Sequence, residues 1–127
     1  KLATGVVYMR SEIRIGDVLD GASNTYLIGE KYLNPESYES GADGADNESM
    51  YSGYNNDNHR TTIATWEVMQ DRPGLENPYV FGSAHTGAFN MVFGDGSVRF
   101  ISERIPWSVL GRMLTCSNGE VISDTEY

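Results

Sequence analysis

The sequence predicts a single α+β domain, residues 1–127, with a mainly antiparallel β-sheet and one short C-terminal helix. Three observations predict this fold class. The Asp-Gly pair at positions 95 and 96 stands between two apolar runs, which is the strongest short-range signal of a β-hairpin. The other apolar runs are short and separated by Gly, Asn and Asp. Residues 106–116 space their apolar side chains as a short helix does.

The hairpin, predicted over residues 81–102, is central to this fold. A two-residue type I′ loop at Asp95 and Gly96 would place Phe93 opposite Val98. The hairpin would then have a mixed face, with Asn90, Val92, Arg99 and Ile101. The opposite face would be apolar and would form the core, with Phe89, Met91, Phe93, Val98 and Phe100.

The segments before the hairpin are predicted in chain order. Residues 5–14 have the composition of a strand, and residues 15–24 are dense in turn-forming residues, which indicates a compact loop with one helical turn started at 15–17. Residues 25–33 form a strand in which Gly29 marks a bulge or a close approach of another part of the chain.

Glu30 follows Gly29 near the end of that strand, and a carboxylate beside a buried strand needs a partner. We expect the partner to be His85 or Arg99. Residues 61–70 form a strand in preference to a helix, and residues 71–78 form a loop. The helix at 106–116 starts near its proline and ends before Asn-Gly, and the last predicted element is a short strand at 120–123.

Composition excludes several classes of function. Nine basic and 18 acidic residues give a net charge of −9, so neither nucleic acid nor an anionic membrane surface is an expected partner. Divalent cations suit such a surface better. Cys116 is the single cysteine, which rules out an intrachain disulfide, and we interpret it as a small buried hydrophobic residue. The longest apolar run is shorter than ten residues, too short for a membrane-spanning helix.

Residues 34–60 form a long polar excursion, and we expect the binding surface there. Two interpretations of its acidic part remain open, a solvated loop and a Ca²⁺ site made by Asp43, Asp46, Asn47 and Glu48. Its aromatic residues either pack on the sheet or form a platform for a glycan or a protein, made by Tyr51, Tyr54 and Trp66.

No catalytic residues are predicted. His85 and Asp95 do not form a dyad, because Asp95 lies at the tip of the predicted turn and is occupied by hydrogen bonds there. A triad drawn through Ser83 or Ser97 has no support beyond the abundance of serine. Two histidines without a companion cysteine also make zinc improbable.

Three segments resemble one family, in the right order. His85 is followed by nine residues and then by Asp95-Gly96, and the end of the chain contains NGEVIS at 118–123. The segment 15–31 contains a DGxSNTxxxGE pattern, made by Asp20, Gly21, Ser23, Asn24, Gly29 and Glu30. Together they resemble the prepilin-type, H-x9-DG family of planctomycetes and related bacteria, known as domain of unknown function 1559.

The resemblance implies a pilin-like soluble domain. Family members begin with a prepilin-type leader and a long apolar helix, so we expect such a part to precede this chain and to provide its only membrane contact. The implied role is a non-enzymatic, pseudopilin-like structural or assembly subunit, exported to the bacterial cell envelope or surface. Its partners would be other pilin-like subunits or secretion-machinery proteins. The alternative is an extracellular glycan- or peptide-binding module ordered by Ca²⁺.

Overall fold

The computed structural model describes residues 4–62, 67–119 and 122. Two single 3₁₀ turns, Ile15–Asp17 and Pro35–Ser37, accompany five strands and one α-helix in this part of the chain. These elements are β1 (Tyr26–Gly29), β2 (Met69–Gln70), β3 (Gly82–Ser83), β4 (Ala88–Phe93), β5 (Val98–Ser102) and α1 (Trp107–Met113). β1, β4 and β5 form an antiparallel sheet in that order, and β2 pairs with β3 in parallel. The predicted α+β class with a central hairpin is therefore confirmed.

The hairpin register differs from the predicted one by one residue. Val92 pairs with Val98, and Asn90 pairs with Phe100. The loop has three residues, because the Phe93 amide donates to Ser97 O (2.9 Å) and the Gly96 amide donates to Phe93 O (2.9 Å). Gly96 has a φ of 84°, while Asp95 does not have the positive φ of a type I′ turn. A type I turn followed by a glycine bulge has replaced the two-residue turn.

This shift reverses the faces of β5. Phe89, Met91 and Phe93 are buried as predicted, but Ile101 completes the core side in place of Val98 and Phe100. Val98 is 63% exposed and Phe100 is 64% exposed. A slip of one residue exchanges every side chain between the two faces of a strand, so the loop length alone accounts for the error.

The core lies between the sheet and α1. Val109, Leu110 and Met113 recur at helical spacing and contribute the buried face of the helix. The chain enters α1 through Pro106, whose carbonyl accepts from the Val109 amide (2.9 Å) and the Leu110 amide (3.1 Å). The helix prediction is confirmed. With only seven residues, α1 is too short to cross a bilayer, and no longer helix occurs in the described ranges.

Glycines allow two close approaches beside the sheet. A Cβ on Gly29 would lie 2.0 Å from Met91 Sδ, and the register of β1 shifts just before it, as the sequence suggested. A Cβ on Gly82 would lie 2.2 Å from the carbonyl oxygen of Met69, across the parallel pair of β2 and β3. At Gly82 a side chain is excluded because the facing atom belongs to the backbone, whereas at Gly29 the flexible Met91 side chain would have to move.

The strand predicted over residues 5–14 is wrong. A turn replaces it, in which the Ser11 amide donates to Tyr8 O (2.9 Å) and Arg10 has a φ of 60°. β-propensity needs a neighbouring strand, and this segment has no strand partner among the described residues. Thr4 O instead accepts from the amide of Cys116 (3.1 Å), a buried residue.

The remaining predictions have mixed outcomes. The helical turn at 15–17, the strand within 25–33 and the loop at 71–78 are confirmed. Of the strand predicted over 61–70, only Met69–Gln70 is a strand among the described residues, and positions 63–66 lie outside them. The terminal strand predicted at 120–123 also falls outside the described residues, apart from Ile122.

Candidate functional site

Glu30 and His85, from two of the family-like segments, meet beside the end of β1. The Glu30 carboxylate accepts from the amide of Asn90 (2.6 Å) and from its side-chain Nδ2 (3.2 Å). His85 Nε2 lies 3.4 Å from Glu30 Oε1. Of the two partners predicted for Glu30, His85 is therefore the one observed in contact. The contact fixes the end of β1 against β4 and the loop before it.

The tip of the hairpin rests on the loop that carries the family-like pattern DGASN at residues 20–24. The Asp95 amide donates to Ala22 O (3.1 Å), and the Gly94 amide donates to Thr25 O (2.9 Å). Arg99 lies with its guanidinium 4.0 Å from the centre of the Phe93 ring, and its Nη2 donates to a carbonyl of the same loop, that of Ser23 (3.2 Å). The turn is thus held by main-chain contacts rather than displayed as a free tip.

Asp20 joins the family-like segment 15–31 to the segment 118–123 near the end of the chain. Its carboxylate accepts from the amides of Asn118 (3.2 Å) and Gly119 (2.5 Å), and the residue is buried. Within the loop, Asn24 Nδ2 donates to Asp20 O (3.1 Å), and Gly21 has a φ of 91°. These residues therefore shape and close the loop, which gives the Asp20, Gly21 and Asn24 positions of the DGxSNTxxxGE pattern a structural role.

The geometry around His85 and Asp95 does not assemble a nucleophile. Asp95 Oδ1 accepts from the Ser97 hydroxyl (2.7 Å) and amide (2.9 Å), and these bonds hold the pKa of its carboxyl below its usual value. The Ser83 hydroxyl donates to Ala88 O (2.9 Å). Both serines considered for a triad are thus engaged elsewhere, and His85 lies on an exposed face.

The acidic residues of the polar excursion are spread among separate partners. Asp43 is buried and accepts from the amides of Asn34 (2.7 Å) and Ala45 (2.8 Å). Asp46 pairs with Lys31 Nζ (2.6 Å). Glu48 accepts from the Asn55 side chain (2.7 Å), and Asn47 is exposed. Within the described ranges, no three His, Cys, Asp or Glu side chains come close enough to hold a metal ion.

Side-chain hydrogen bonds order this excursion and tie it to the loop at 71–78. Asn34 Oδ1 accepts from the Glu36 amide (3.1 Å) and from the Gly74 amide (3.2 Å). The Tyr38 hydroxyl donates to Asp71. Burial and this hydrogen bond raise the pKa of Tyr38 to about 12. The excursion is therefore an organised part of the domain.

The structure describes two of the three residues of the candidate aromatic platform. Tyr51 is 87% exposed and Tyr54 is 53% exposed, and the Tyr54 ring lies 4.3 Å from the His59 ring. Burial, followed by the charge of Arg60, lowers the pKa of His59. Trp66, the third member of the predicted platform, falls outside the described residues.

A groove of about 1030 Å³ runs beside β1, and no pattern in the sequence indicated it directly. Its polar wall is the segment 54–62, and its other walls include Tyr26, Phe81 and Leu114. Arg60 lies in this wall and is 9% exposed. In the sequence, Arg60 stands between a polar segment and a segment of strand-like composition. That position alone does not predict a groove, because the groove depends on tertiary contacts.

Comparisons with known proteins identify a family but no characterised relative. Residues 1–107 match the family described as Protein of unknown function (DUF1559). Neither a curated protein nor a solved structure matches the chain. The match covers most of the sequence, including both of the segments that meet at Glu30 and His85. The chain therefore belongs to the DUF1559 family.

Proposed function

We propose that the chain is a non-enzymatic, pseudopilin-like structural subunit that is exported to the bacterial cell envelope or surface. One observation carries the proposal, which is the exposed apolar face of the sheet. Ile28, Val92 and Val98 lie opposite one another across β1, β4 and β5, and Phe100 follows on the same face. We call these four residues the outer face. An apolar face of this kind is typical of a protein contact surface.

The position of β5 supports a lateral contact at the same place. β5 pairs with β4 alone among the described strands, so its other edge has no strand partner there. Such an edge can pair with a further strand. The partner would be another pilin-like subunit or a secretion-machinery protein, and an N-terminal helix preceding this chain would anchor the subunit in a membrane or filament.

We expect the protein to self-associate through the outer face, and Phe100→Asp to weaken that association by roughly tenfold or more, because it places a charge in an apolar contact. Sedimentation of the variant over a range of concentrations measures this effect. Tyr51→Asp is the matched control, since Tyr51 is also aromatic and is more exposed, but belongs to the polar excursion and to no strand.

A wild-type protein that stays monomeric at high concentration, or equal weakening by both substitutions, would contradict the lateral contact. Export is tested separately, by reading the coding sequence upstream of Lys1. A prepilin-type leader in that sequence would support export, and a start codon followed by no leader sequence would contradict it.

A second candidate function is favoured by the exposure of Tyr51. An extracellular module that binds glycan or peptide through Tyr51, Tyr54 and Trp66, ordered by Ca²⁺, uses such an aromatic surface. On this alternative, Trp66→Ala abolishes binding on a glycan array. Ca²⁺ would also raise the thermal unfolding midpoint. Retained glycan binding by the Trp66 variant would exclude this platform.

A further inference from the structure

The groove beside β1 contains buried polar atoms without partners. Arg60 Nη1 donates to His59 O (2.9 Å) and to Asn56 O, but its Nε and Nη2 have no hydrogen-bond partner in the described structure. Asp57 Oδ1 accepts from the Glu48 amide (2.9 Å), whereas Asp57 Oδ2 has none there. A buried polar atom without a partner costs free energy, so these positions favour a bound polar group.

A third such atom lies two residues further along. Thr62 Oγ1 is buried and has no hydrogen-bond partner among the described residues. Arg60, Asp57 and Thr62 all line the same groove. Two guanidinium donors, one carboxylate acceptor and one hydroxyl thus stand unpaired along six residues of one wall.

The unpaired atoms of Arg60 indicate a carboxylate. Nε and Nη2 form one edge of the guanidinium, and their parallel N–H groups match the two oxygens of a carboxylate. A hydroxyl such as that of Thr62 donates a third hydrogen bond to the same group. A neutral polyol offers no charge to complement this edge.

The unpaired carboxylate oxygen of Asp57 indicates that the ligand also carries a donor. Asp43, Asp57 and Asp46 act electrostatically on Arg60, and Asp46 is paired with Lys31. Three carboxylates thus face two cations, so charge alone does not select the ligand, and the unpaired Asp57 Oδ2 adds a requirement for a donor. A backbone N–H group in the ligand would satisfy Asp57 Oδ2.

The other walls of the groove are apolar and aromatic. Tyr26 and Phe81 are buried residues that line it, and Leu114 closes it near the end of α1. Such walls accept an apolar side chain next to the polar positions. The volume of about 1030 Å³ exceeds the needs of one amino acid and suits several residues.

We propose that this groove binds the C-terminal end of a short peptide. The terminal carboxylate lies on Arg60 Nε and Nη2 and on the Thr62 hydroxyl, and the last backbone N–H of the peptide donates to Asp57 Oδ2. An apolar terminal side chain packs against Tyr26 and Phe81. Ile28 lines the groove and also belongs to the outer face, but Val92, Val98 and Phe100 do not line it, and the contacts proposed for the peptide do not involve self-association.

Entry requires a small movement of the groove wall, because the unpaired atoms are buried. The segment 55–60 belongs to no described helix or strand. Side-chain hydrogen bonds hold it, both within the segment, where Asn55 Oδ1 accepts from the Asp57 amide (2.9 Å), and to other loops, where Lys31 Nζ donates to Asp57 O (3.2 Å). The nearest described strand-like bond is Thr61 N to Tyr79 O (3.2 Å). A wall of this kind opens at a lower cost than a sheet does.

The test is calorimetric titration of the whole chain with N-acetyl-glycyl-phenylalanine, its C-terminal amide and methyl glucoside. We expect the free acid to bind and the amide to bind roughly tenfold more weakly, since the amide loses the charge-assisted pair. Arg60→Gln should weaken binding of the acid by roughly tenfold or more. The control, Arg104→Gln, changes an exposed arginine outside the groove and should leave binding unchanged.

Thr62→Val keeps the test decisive if Arg60→Gln fails to fold. Thr62 Oγ1 bonds to nothing in the described structure, so its loss should leave the thermal midpoint unchanged while binding of the acid falls severalfold. Equal binding of acid and amide, binding of the glucoside alone, or no binding of any probe would overturn the proposal. In the last case, ordered water fills the unpaired positions.

Discussion

Replacing Phe93 by alanine is expected to lower the free energy of unfolding by roughly 3–5 kcal/mol, the usual cost of removing a buried aromatic ring. Phe93 is fully buried, and its ring packs edge-on against Tyr26 at a centroid distance of 4.7 Å. The guanidinium of Arg99 lies over the same ring. The substitution therefore leaves a cavity in the core and removes a cation–π contact. Urea unfolding followed by circular dichroism measures the change.

Phe100→Ala is the matched control, seven positions away on the same hairpin. Phe100 lies on the outer face, so we expect its substitution to change the free energy of unfolding by less than about 1 kcal/mol. The pair also tests the register of the hairpin. If the two substitutions cost the same, or if Phe100→Ala costs more, the three-residue loop at the tip is wrong.

The second large effect is expected from Gly82→Ala, which should lower the free energy of unfolding by about 3 kcal/mol. The new methyl group would lie 2.2 Å from the Met69 carbonyl oxygen and 3.0 Å from Tyr32 Cβ. A carbonyl in a strand pair cannot rotate away as a flexible side chain can. The parallel pair of β2 and β3 must therefore separate. Thermal and urea unfolding of the variant measure the loss.

Gly16→Ala and Gly29→Ala calibrate this effect. Gly16 has open space at its Cβ position and no positive φ, so alanine there should change the free energy of unfolding by less than about 0.5 kcal/mol. Gly29→Ala should lie between the two, since the atom it meets belongs to the Met91 side chain. A Gly82 variant as stable as the Gly16 variant would exclude the close approach.

The sequence predicted the elements of the fold better than their register. The spacing of apolar residues and the turn-forming residues between them located α1, the strand within residues 25–33 and the hairpin. An Asp-Gly pair is compatible with two loops, however, a two-residue type I′ turn or a type I turn with a glycine bulge at Gly96. The two choices bury either Phe100 or Ile101, and both side chains are apolar. Periodicity could not separate them, and the contacts of the tip with residues 22–25 select the second.

Contacts in the candidate sites were predictable only where a residue clearly required a polar partner. Glu30 beside a buried strand required a partner, and His85 was one of two candidates. The bond from Asp20 to Gly119 and the unpaired atoms of Arg60 gave no such signal, because they depend on where distant segments meet. Residues 5–14 show the opposite case. Their composition is typical of a strand, but no described strand lies beside them to pair with.

The carboxylate of Asp20 reaches amides that lie 98 and 99 positions further along the chain. The hairpin, by contrast, joins residues at most 14 positions apart. Bringing distant positions together costs more chain entropy, so we expect the hairpin to form first and the Asp20 bonds to close last. During synthesis on the ribosome, the loop at 20–24 would thus wait for nearly the whole domain to emerge before its final bonds could form.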